Sequence, residues 1–329
     1  MMTATPAGAS PALSSDLSVM TYNVHGLPWP VAENRHVALQ AIGQRLWQMR
    51  QAGRQPHVVL LQEAFTEDAK RIGQIGGYRY VGYGPAASAA GETPLWEAGF
   101  SALMTAMKSG TPWKAVDSGL AILSDYPILS MRMGAFSGDA CAGYDCLANK
   151  GALLASIALP GAPRPVMLAT VHLNARFASG VPANVSDRAY AQQLGLVDRF
   201  LNANRDPSLP LILGGDFNNA GRIRSALLLR HATAMWRADG MSSIGEVLSR
   251  LPVKAVPNRA LPPACSRNKD WQFQSSGASA HIMPVRLSLP FGLERDGSAL
   301  SDHFGYAESY RVDWQAKGAG KLAARGKAS

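Results

Sequence analysis

The chain has 329 residues, of which 47% are hydrophobic and 17% are charged, so its composition is that of a globular protein with a buried core. No stretch approaches the ~20 consecutive apolar residues of a membrane-spanning helix, and none is predicted. The net charge of +9 gives only weak support for an anionic partner such as nucleic acid or a membrane surface. Four of the positive charges lie in residues 315–329, a segment without acids that we expect to be solvated.

The domain organisation predicted from the sequence is simple. No internal repeat and no break in composition divides residues 17–314, which we expect to form a single domain. Residues 1–16 and 315–329 are expected to be disordered ends. The first residues lack the basic and apolar regions of a signal peptide, so the sequence itself gives no sign of export.

The three cysteines are too few for a disulfide scaffold, and they lack the CxxC spacing of structural zinc sites. Cys141 and Cys146 are close enough in sequence to form a local disulfide if the protein is exported. In a cytosolic enzyme they would be two reduced thiols. The sequence leaves both alternatives open.

Hydrophobic periodicity predicts the following elements in chain order: a strand at 17–23, a helix with Leu39, Ile42, Leu46 and Met49 on one face, strands at 57–61, 119–124, 151–159 and 165–173, a helix at 187–201, and strands at 209–215, 271–274 and 305–312. Many strands with few helices between them favour a two-sheet α/β sandwich. The glycine-rich dinucleotide fingerprint of a Rossmann domain is missing. Residues 94–113 carry apolar side chains at helical spacing, as in a buried helix or in an apolar lid that meets lipid.

Four of the predicted strands end in a polar residue: Asn23, Glu63, His172 and Asp216. Buried strands with polar groups at their ends build a site along one edge of a sheet sandwich. A carboxylate beside a buried apolar run is costly unless it is paired or holds a metal. Oxygen donors without clustered cysteines suit a hard ion such as Mg²⁺ or Mn²⁺. Taken singly, each acid also fits a helix cap or a turn.

Seven segments together resemble the successive motifs of the endonuclease/exonuclease/phosphatase superfamily. In chain order they are YNVHG (22–26), LLQEAF (60–65), SGLAILSDYPI (118–128), TVHLNA (170–175), GGDFNNA (214–220), KDWQF (269–273) and LSDHFG (300–305). The resemblance implies an α/β (α+β) fold of the DNase I-like kind. That fold is a four-layer sandwich in which two mixed β-sheets are flanked by helices, with one metal-centred site at the sheet edges.

The resemblance also implies which residues bind the divalent ion, Mg²⁺ or Mn²⁺. Glu63 occupies the family's metal position, and Asn23 supports the metal or the phosphate. Asp302 is a further acid or metal ligand. His25 lies inside a motif, but at a position that varies among relatives, and we expect it to be a loop histidine without a catalytic role.

Five residues receive catalytic roles from the same resemblance. His172 donates to a non-bridging phosphate oxygen. Asp216 orients or deprotonates the attacking water, and Asn218 holds the phosphate. His303 acts on the scissile group, and Asp270 in KDWQF orients it in place of the family's usual upstream acid. Whether Asp216 or His303 removes the proton is left open.

One segment distinguishes branches of the superfamily. YDCLANKGALL (144–154) resembles the NKG segment of the sphingomyelinase branch, in which an aspartate pairs with the lysine. Asp145, Asn149 and Lys150 are therefore expected to contact the substrate. An Asn-Lys-Gly surface turn between strands is the alternative interpretation.

The resemblance to that branch implies hydrolysis of sphingomyelin or a related choline phospholipid at a membrane surface, with release of phosphocholine. It also favours a secreted or periplasmic monomer. The alternatives are a nuclease of the same fold acting on nucleic acid, an inositol phosphate phosphatase and a non-enzymatic binding module.

Overall fold

The computed structural model describes residues 13–87, 114–250, 262, 265 and 267–315 of the chain. The apolar segment 94–113 lies outside the described residues, as do nearly all of the expected disordered ends. One boundary differs from the expectation. The first strand begins at Ser14, so residues 14–16 pair with the last strand instead of belonging to a disordered N-terminal segment.

The described part of the chain contains strands and helices that alternate irregularly. The strands are β1 (Ser14–Asn23), β2 (Val58–Gln62), β3 (Tyr80–Tyr83), β4 (Ala121–Ser124), β5 (Ile128–Ala135), β6 (Gly151–Ile157), β7 (Val166–His172), β8 (Leu211–Asp216), β9 (Gly240–Ser243), β10 (Asp270–Ser275), β11 (Ala280–Phe291) and β12 (Gly305–Trp314). The helices are α1 (Arg35–Gln51), α2 (Glu67–Lys70), α3 (Ile72–Ile75), α4 (Ala183–Asn204), α5 (Arg222–Ala234) and α6 (Ile244–Arg250), with a 3-10 helix at Gly143–Leu147. None of these helices is both long and apolar enough to cross a bilayer.

The strands form two six-stranded sheets, ordered β11-β12-β1-β2-β4-β3 and β5-β6-β7-β8-β10-β9. Both sheets are mixed, because β1–β2 and β7–β8 are parallel whereas the other pairs are antiparallel. The inner faces of the two sheets share one apolar cluster, to which Leu60 and Ile212 belong. Because side chains alternate along a strand, Leu61 instead packs with Ile42 of α1 on the outer face. These layers confirm the predicted four-layer α/β sandwich.

The second outer layer covers β6, β7 and β8. There Val171 and Leu213 pack against Leu194 of α4 and Leu228 of α5. Every residue of β6, β7 and β8 is buried, as expected for strands covered on both faces. The sequence pattern of these strands was apolar for that reason.

Strand direction brings the polar strand ends to one edge of the sandwich. The parallel strands β1 and β2 pair Asn23 with Gln62 at their ends, and Glu63 follows. The parallel strands β7 and β8 likewise pair His172 with Asp216. Strand β10 is antiparallel to β8 and therefore begins at this same edge, where Asp270 lies opposite Asp216.

The structure joins Cys141 and Cys146 in a disulfide. The loop that the disulfide closes, 141–146, contains most of the 3-10 helix that carries Asp145. Cys265 is a buried free thiol. Of the two alternatives left open by the sequence, the structure therefore has the bridged one.

Candidate active site

Two carboxylates from different sheets meet at the floor of the site. Asn23 connects them, because its side-chain Nδ2 donates to Glu63 Oε1 at 2.9 Å and to Asp216 Oδ2 at 3.1 Å. Asn23 Oδ1 accepts from the backbone N–H of His25 at 3.0 Å. In this arrangement Asn23 orients the two carboxylates, and its expected support of the metal or the phosphate stays a prediction.

The electrostatic environments of the two carboxylates differ. Burial raises the pKa of Glu63, and the nearby charge of Asp302 raises it further. Burial also opposes ionisation of Asp216, but the positive charges of His303 and Lys269 outweigh it and lower its pKa. Asp216 is therefore an anion at neutral pH, whereas Glu63 is the carboxylate that gains most from a bound cation.

His172 is buried between the carboxylates and Lys150. Its Nε2 lies 3.5 Å from Asp216 Oδ2 and 3.9 Å from Glu63 Oε1. Lys150 Nζ approaches the same Nε2 atom at 3.1 Å, and an ammonium group can only donate, so Nε2 accepts in this contact. Burial, followed by the charge of Lys150, holds the pKa of His172 well below its usual value. His172 is thus a neutral imidazole here, and Nε2 must gain a proton before it can donate to a phosphate oxygen.

The expected pairing of Asp145 with Lys150 is present. Lys150 Nζ lies 3.1 Å from Asp145 Oδ1 and donates to Leu173 O at 3.0 Å. Asp145 also accepts from the backbone N–H of Ala175. The lysine is buried and lines the cleft, and the Asn-Lys-Gly segment is not an exposed turn.

Asn149 does not reach the site. Its Nδ2 donates to Ala86 O at 2.6 Å, which fixes the neighbouring loop, and it is not among the described residues that line the cleft. The expected contact of Asn149 with the substrate stays a prediction, and in this arrangement its amide N–H is used by the backbone of Ala86.

His303 and Asp270 form a buried pair. The Nδ1 of His303 lies 3.0 and 2.9 Å from the two oxygens of Asp270, as the sequence predicted. Its Nε2 faces Asp216 Oδ2 at 3.5 Å. Burial opposes protonation of His303, but Asp270 and Asp216 outweigh it and raise the pKa of the imidazole to about 9. At neutral pH the pair is an imidazolium held by a carboxylate.

Asp302 and His25 form a second pair at the edge of the cleft. His25 Nδ1 lies 3.1 Å from Asp302 Oδ1 and 3.7 Å from Glu63 Oε2. Burial opposes ionisation of Asp302, but the hydrogen bond from His25 outweighs it and holds the pKa of this aspartate well below its usual value. His25 was expected to be a loop residue without a role. Its contact with two acids of the site arises from distant parts of the chain, which the local sequence pattern cannot show.

Three residues of the site have left-handed backbone conformations that non-glycine residues rarely adopt: φ is 50° at His25, 57° at Glu63 and 46° at Asn218. Each comes within two residues of a strand end, where the chain must turn sharply. Asn218 is stabilised by its own N–H, which donates to Asp216 Oδ1 at 2.8 Å, and by Nδ2, which donates to Leu173 O at 2.8 Å.

The acids and His172 fit a divalent metal ion. One ligand atom from each of Glu63, His172 and Asp216 lies within 4.8 Å of the others, and Asp216 forms a second such group with Asp270 and His303. Glu63 Oε2 and Asn218 Oδ1 are buried and have no hydrogen-bond partner among the described residues. Buried acceptors without donors are costly, and a cation would satisfy them.

The polar side chains described above line one side of a cleft of about 470 Å³, which we call its floor. The cleft-lining residues of this floor are Glu63, Lys150, His172, Asp216, Asn218, Asp302 and His303. Lys269, the first residue of the KDWQF segment, also lines the cleft, although the resemblance assigned it no role. The remaining walls are mostly apolar: Leu27, Pro28, Trp29, Pro30, Val31, Phe65, Ala115, Val116, Leu147, Ala148, Ala175 and Ala178. The sequence pattern had identified the polar floor but not these walls.

The fold is shared with solved structures of low sequence identity. A β-toxin mutant from Staphylococcus aureus with bound magnesium ions has a TM-score of 0.59 at 18% identity, covering 92% of this chain and 100% of that chain. Sphingomyelinase C from Streptomyces griseocarneus has a TM-score of 0.57 at 18% identity, covering 90% and 99%. TDP2 from D. rerio, complexed with a single-strand DNA product, has a TM-score of 0.55 at 18% identity, covering 90% and 99%.

A search of curated protein sequences gave no significant match. The sequence does match the Endonuclease/Exonuclease/phosphatase family over residues 20–303, which spans β1 to the histidine that precedes β12. The matched range includes every residue of the polar floor. The chain therefore belongs to the Endonuclease/Exonuclease/phosphatase family.

Proposed function

We propose that this metal-dependent phosphoesterase hydrolyses sphingomyelin or a related choline phospholipid at a membrane surface and releases phosphocholine. The observation that carries the proposal is the division of the cleft into a polar floor and apolar walls. An amphipathic phosphodiester has the same two parts, a charged phosphate and an apolar chain. A cleft that desolvates both parts selects such a substrate.

The mouth of the cleft supports action at a membrane surface. Trp29 and Val31, in the loop between β1 and α1, are 63% and 57% exposed, and Tyr144 on the 3-10 helix is 47% exposed. Exposed aromatic and aliphatic side chains around one opening are typical of surfaces that enter the headgroup region of a bilayer. A lipid would pass from the bilayer to the floor without crossing water.

Within this proposal, the residues of the floor divide the proton transfers between them. Asp216, an anion at neutral pH, accepts the proton of the water that attacks phosphorus. His303, an imidazolium held by Asp270, donates a proton to the oxygen that leaves with the lipid. A divalent ion bound by Glu63, with Mg²⁺ as the proposed ion, would polarise the phosphoryl oxygen or lower the pKa of the water.

Lys150 supports the proposed branch because it supplies a positive charge deep in the wall of the cleft. Its Nζ touches Asp145 and His172, and the imidazole of His172 separates it from Glu63 and Asp216, two carboxylates that would repel a phosphate. A lysine acts on phosphate as a compact point charge. We propose that Lys150 balances the carboxylates and helps to hold the phosphate.

A nuclease is the second candidate, and a different observation favours it. Phe177 is 56% exposed and lies close to two guanidinium groups, with Arg267 Cζ at 4.4 Å and Arg176 Cζ at 5.7 Å from its ring centroid. The adjacent Ala178 lines the cleft. Proteins that bind single-stranded nucleic acid also combine an exposed aromatic ring with nearby positive charges.

The two candidates are distinguished by one comparison of rates. Phosphocholine release from sphingomyelin vesicles is measured beside plasmid nicking, with equal Mg²⁺ and at two salt concentrations. The lipid substrate predicts phosphocholine release with little nicking. Nicking without phosphocholine release, with a steep loss of DNA binding as salt rises, would establish the nuclease and reject our choice of substrate.

A further inference from the structure

The first turn of α5 contains an arginine that the proposed reaction does not use directly. Arg224 is only 1% exposed, although a buried guanidinium is costly unless its donors are satisfied. Its Nε donates to Asp187 Oδ1 at 2.6 Å, and its Cζ lies 4.4 Å from the ring centroid of Tyr190. The charge is therefore compensated by a carboxylate and an aromatic face, while Nη2 has no hydrogen-bond partner among the described residues.

The remaining contacts of Arg224 join two loops of the active site. Its Nη1 donates to Asn174 O at 2.6 Å and to Asn218 O at 3.1 Å. Asn174 follows the end of β7 by two residues, and Asn218 follows the end of β8 by two residues. One nitrogen atom thus bridges the two loops just beyond the point where the backbone hydrogen bonds between the parallel strands β7 and β8 stop.

The loops that Arg224 bridges carry groups of the cleft floor. The last backbone contact between them is the donation from Leu173 N to Asp216 O at 3.0 Å. After it, Asn218 has a left-handed backbone, and its carbonyl is held by Arg224 and by the N–H of Ala220. Arg224 thus adds to the hydrogen bonds that Asn218 itself makes with Asp216 and Leu173 a donor that the sheet does not supply.

We infer that Arg224 is a positioning residue that holds the loops after β7 and β8 at the spacing required for phosphodiester hydrolysis. This inference rests on the proposed hydrolysis but not on the choice of lipid as substrate. An arginine suits the task because its planar fork presents donors in fixed directions, toward Asp187 through Nε and toward both carbonyls through Nη1. A lysine has no such fork.

A second ion pair provides a matched control. Arg50 Nη2 lies 2.5 Å from Asp125 Oδ1, its Nε donates to Gly76 O, and its Cζ lies 4.8 Å from the ring centroid of Tyr78. The Arg50 pair thus repeats the carboxylate, carbonyl and aromatic contacts of Arg224. It does so on α1, outside the cleft.

The test uses Arg224→Met, Arg224→Lys and Arg50→Met in the full chain, with hydrolysis of bis(p-nitrophenyl) phosphate in Mg²⁺ as the probe. Misplacing a reacting group by about 1 Å costs ~10²-fold in rate. We expect kcat to fall ~10²-fold in Arg224→Met and about tenfold in Arg224→Lys, with KM within about twofold of the parent. Arg50→Met should keep kcat while losing thermal stability.

The Arg224 variants leave Asp187 with a partner, because Arg176 also pairs with Asp187, at 3.1 Å.

A second measurement does not depend on turnover. The ¹H–¹³C imidazole signal of His172, assigned with a His172→Gln variant, should shift in both Arg224 variants and stay in place in Arg50→Met. An unshifted His172 signal in folded Arg224→Lys would overturn the positioning role, as would a kcat equal to that of the parent. If the parent protein hydrolyses no phosphodiester, the proposed function fails, and the imidazole signal alone then decides the role of Arg224.

Discussion

The floor and the mouth of the cleft differ in how their residues are held in place. On the floor, Asn23, Glu63 and Asp216 come from both sheets and are tied by hydrogen bonds, so strand register fixes their positions. At the mouth, Trp29 and Val31 are largely exposed on a loop. Sphingomyelinase C and a DNA-bound TDP2 share this fold, so the fold does not choose the substrate. We infer that the floor determines the reaction and the mouth determines where it takes place.

The largest effect is expected when the floor loses its capacity for metal. Glu63→Gln should reduce phosphodiester hydrolysis to the uncatalysed background, because the ion would lose a carboxylate ligand. EDTA added to the parent protein should have the same effect, because it removes the ion itself. The metal-free variant should unfold at a slightly higher temperature than the metal-free parent, since glutamine removes the cost of ionising a buried acid.

The rate of phosphodiester hydrolysis checks the first statement, and calorimetry with and without Mg²⁺ checks the second. Glu67→Gln, four residues along the chain and exposed, is the control. Full activity of the parent in EDTA would remove the metal from the mechanism. A Mg²⁺-induced rise in Tm that is the same in Glu63→Gln as in the parent would place the ion elsewhere.

His303→Ala tests the proton-donating imidazole on the floor of the cleft. Loss of a positioned acid or base is expected to lower kcat by ~10²–10⁴-fold. His172→Ala, which removes the imidazole that the family resemblance assigns as a donor to the phosphate once its Nε2 is protonated, should lower it by ~10²–10³-fold. The exposed His281 on β11 provides the control, and His281→Ala should retain the parent rate. Circular dichroism verifies folding, and a folded His303→Ala with near-normal kcat would show that this histidine does not handle a proton.

The sequence predicted the floor better than the edges of the sheets. Glu63, His172 and Asp216 were recognisable because each ends an apolar run that is buried on both faces. The strands β3, β5, β9 and β11 were not predicted, and all lie at or next to a sheet edge in the described structure. Strand β5 alternates poorly because most of it is exposed, and β11 is interrupted by Pro284 and by bulges.

Helix α5 was missed for a related reason. Arg224 faces the interior, so a charged residue occupies a position where the helical pattern requires an apolar one. Similarly, the pairing of His25 with Asp302 joins residues at opposite ends of the chain. Such contacts are set by the tertiary fold, and no local pattern in the sequence encodes them.

At the mouth, a smaller and more selective effect is expected. Trp29→Ala should weaken binding to sphingomyelin vesicles about tenfold, because partial burial of an aromatic side chain in lipid contributes ~1.5 kcal/mol. Turnover of a soluble phosphodiester should not change, since the floor is intact. Vesicle sedimentation and soluble-substrate kinetics measure the two effects separately. Trp47→Ala, on the exposed side of α1, is the control. Equal loss on soluble and vesicle substrates would contradict the division between floor and mouth.

The smallest effect concerns stability far from the cleft. The backbone N–H of Ser18 donates to His57 Nδ1 at 3.1 Å, and burial lowers the pKa of this imidazole. Below pH 6.5 the unfolded chain therefore binds a proton that the folded chain does not, so the free energy of unfolding falls as pH drops from about 6.5 toward the folded-state pKa. The slope is at most ~1.4 kcal/mol per pH unit in this window, and it vanishes above about pH 7.5.

His57→Asn keeps an acceptor near the Nδ1 position but does not titrate. Its urea-unfolding free energy should fall less than that of the parent between pH 7.5 and 5, while the exposed His36→Asn should follow the parent. If His57→Asn and the parent lose the same free energy over this range, His57 does not contribute to the acid sensitivity of the fold.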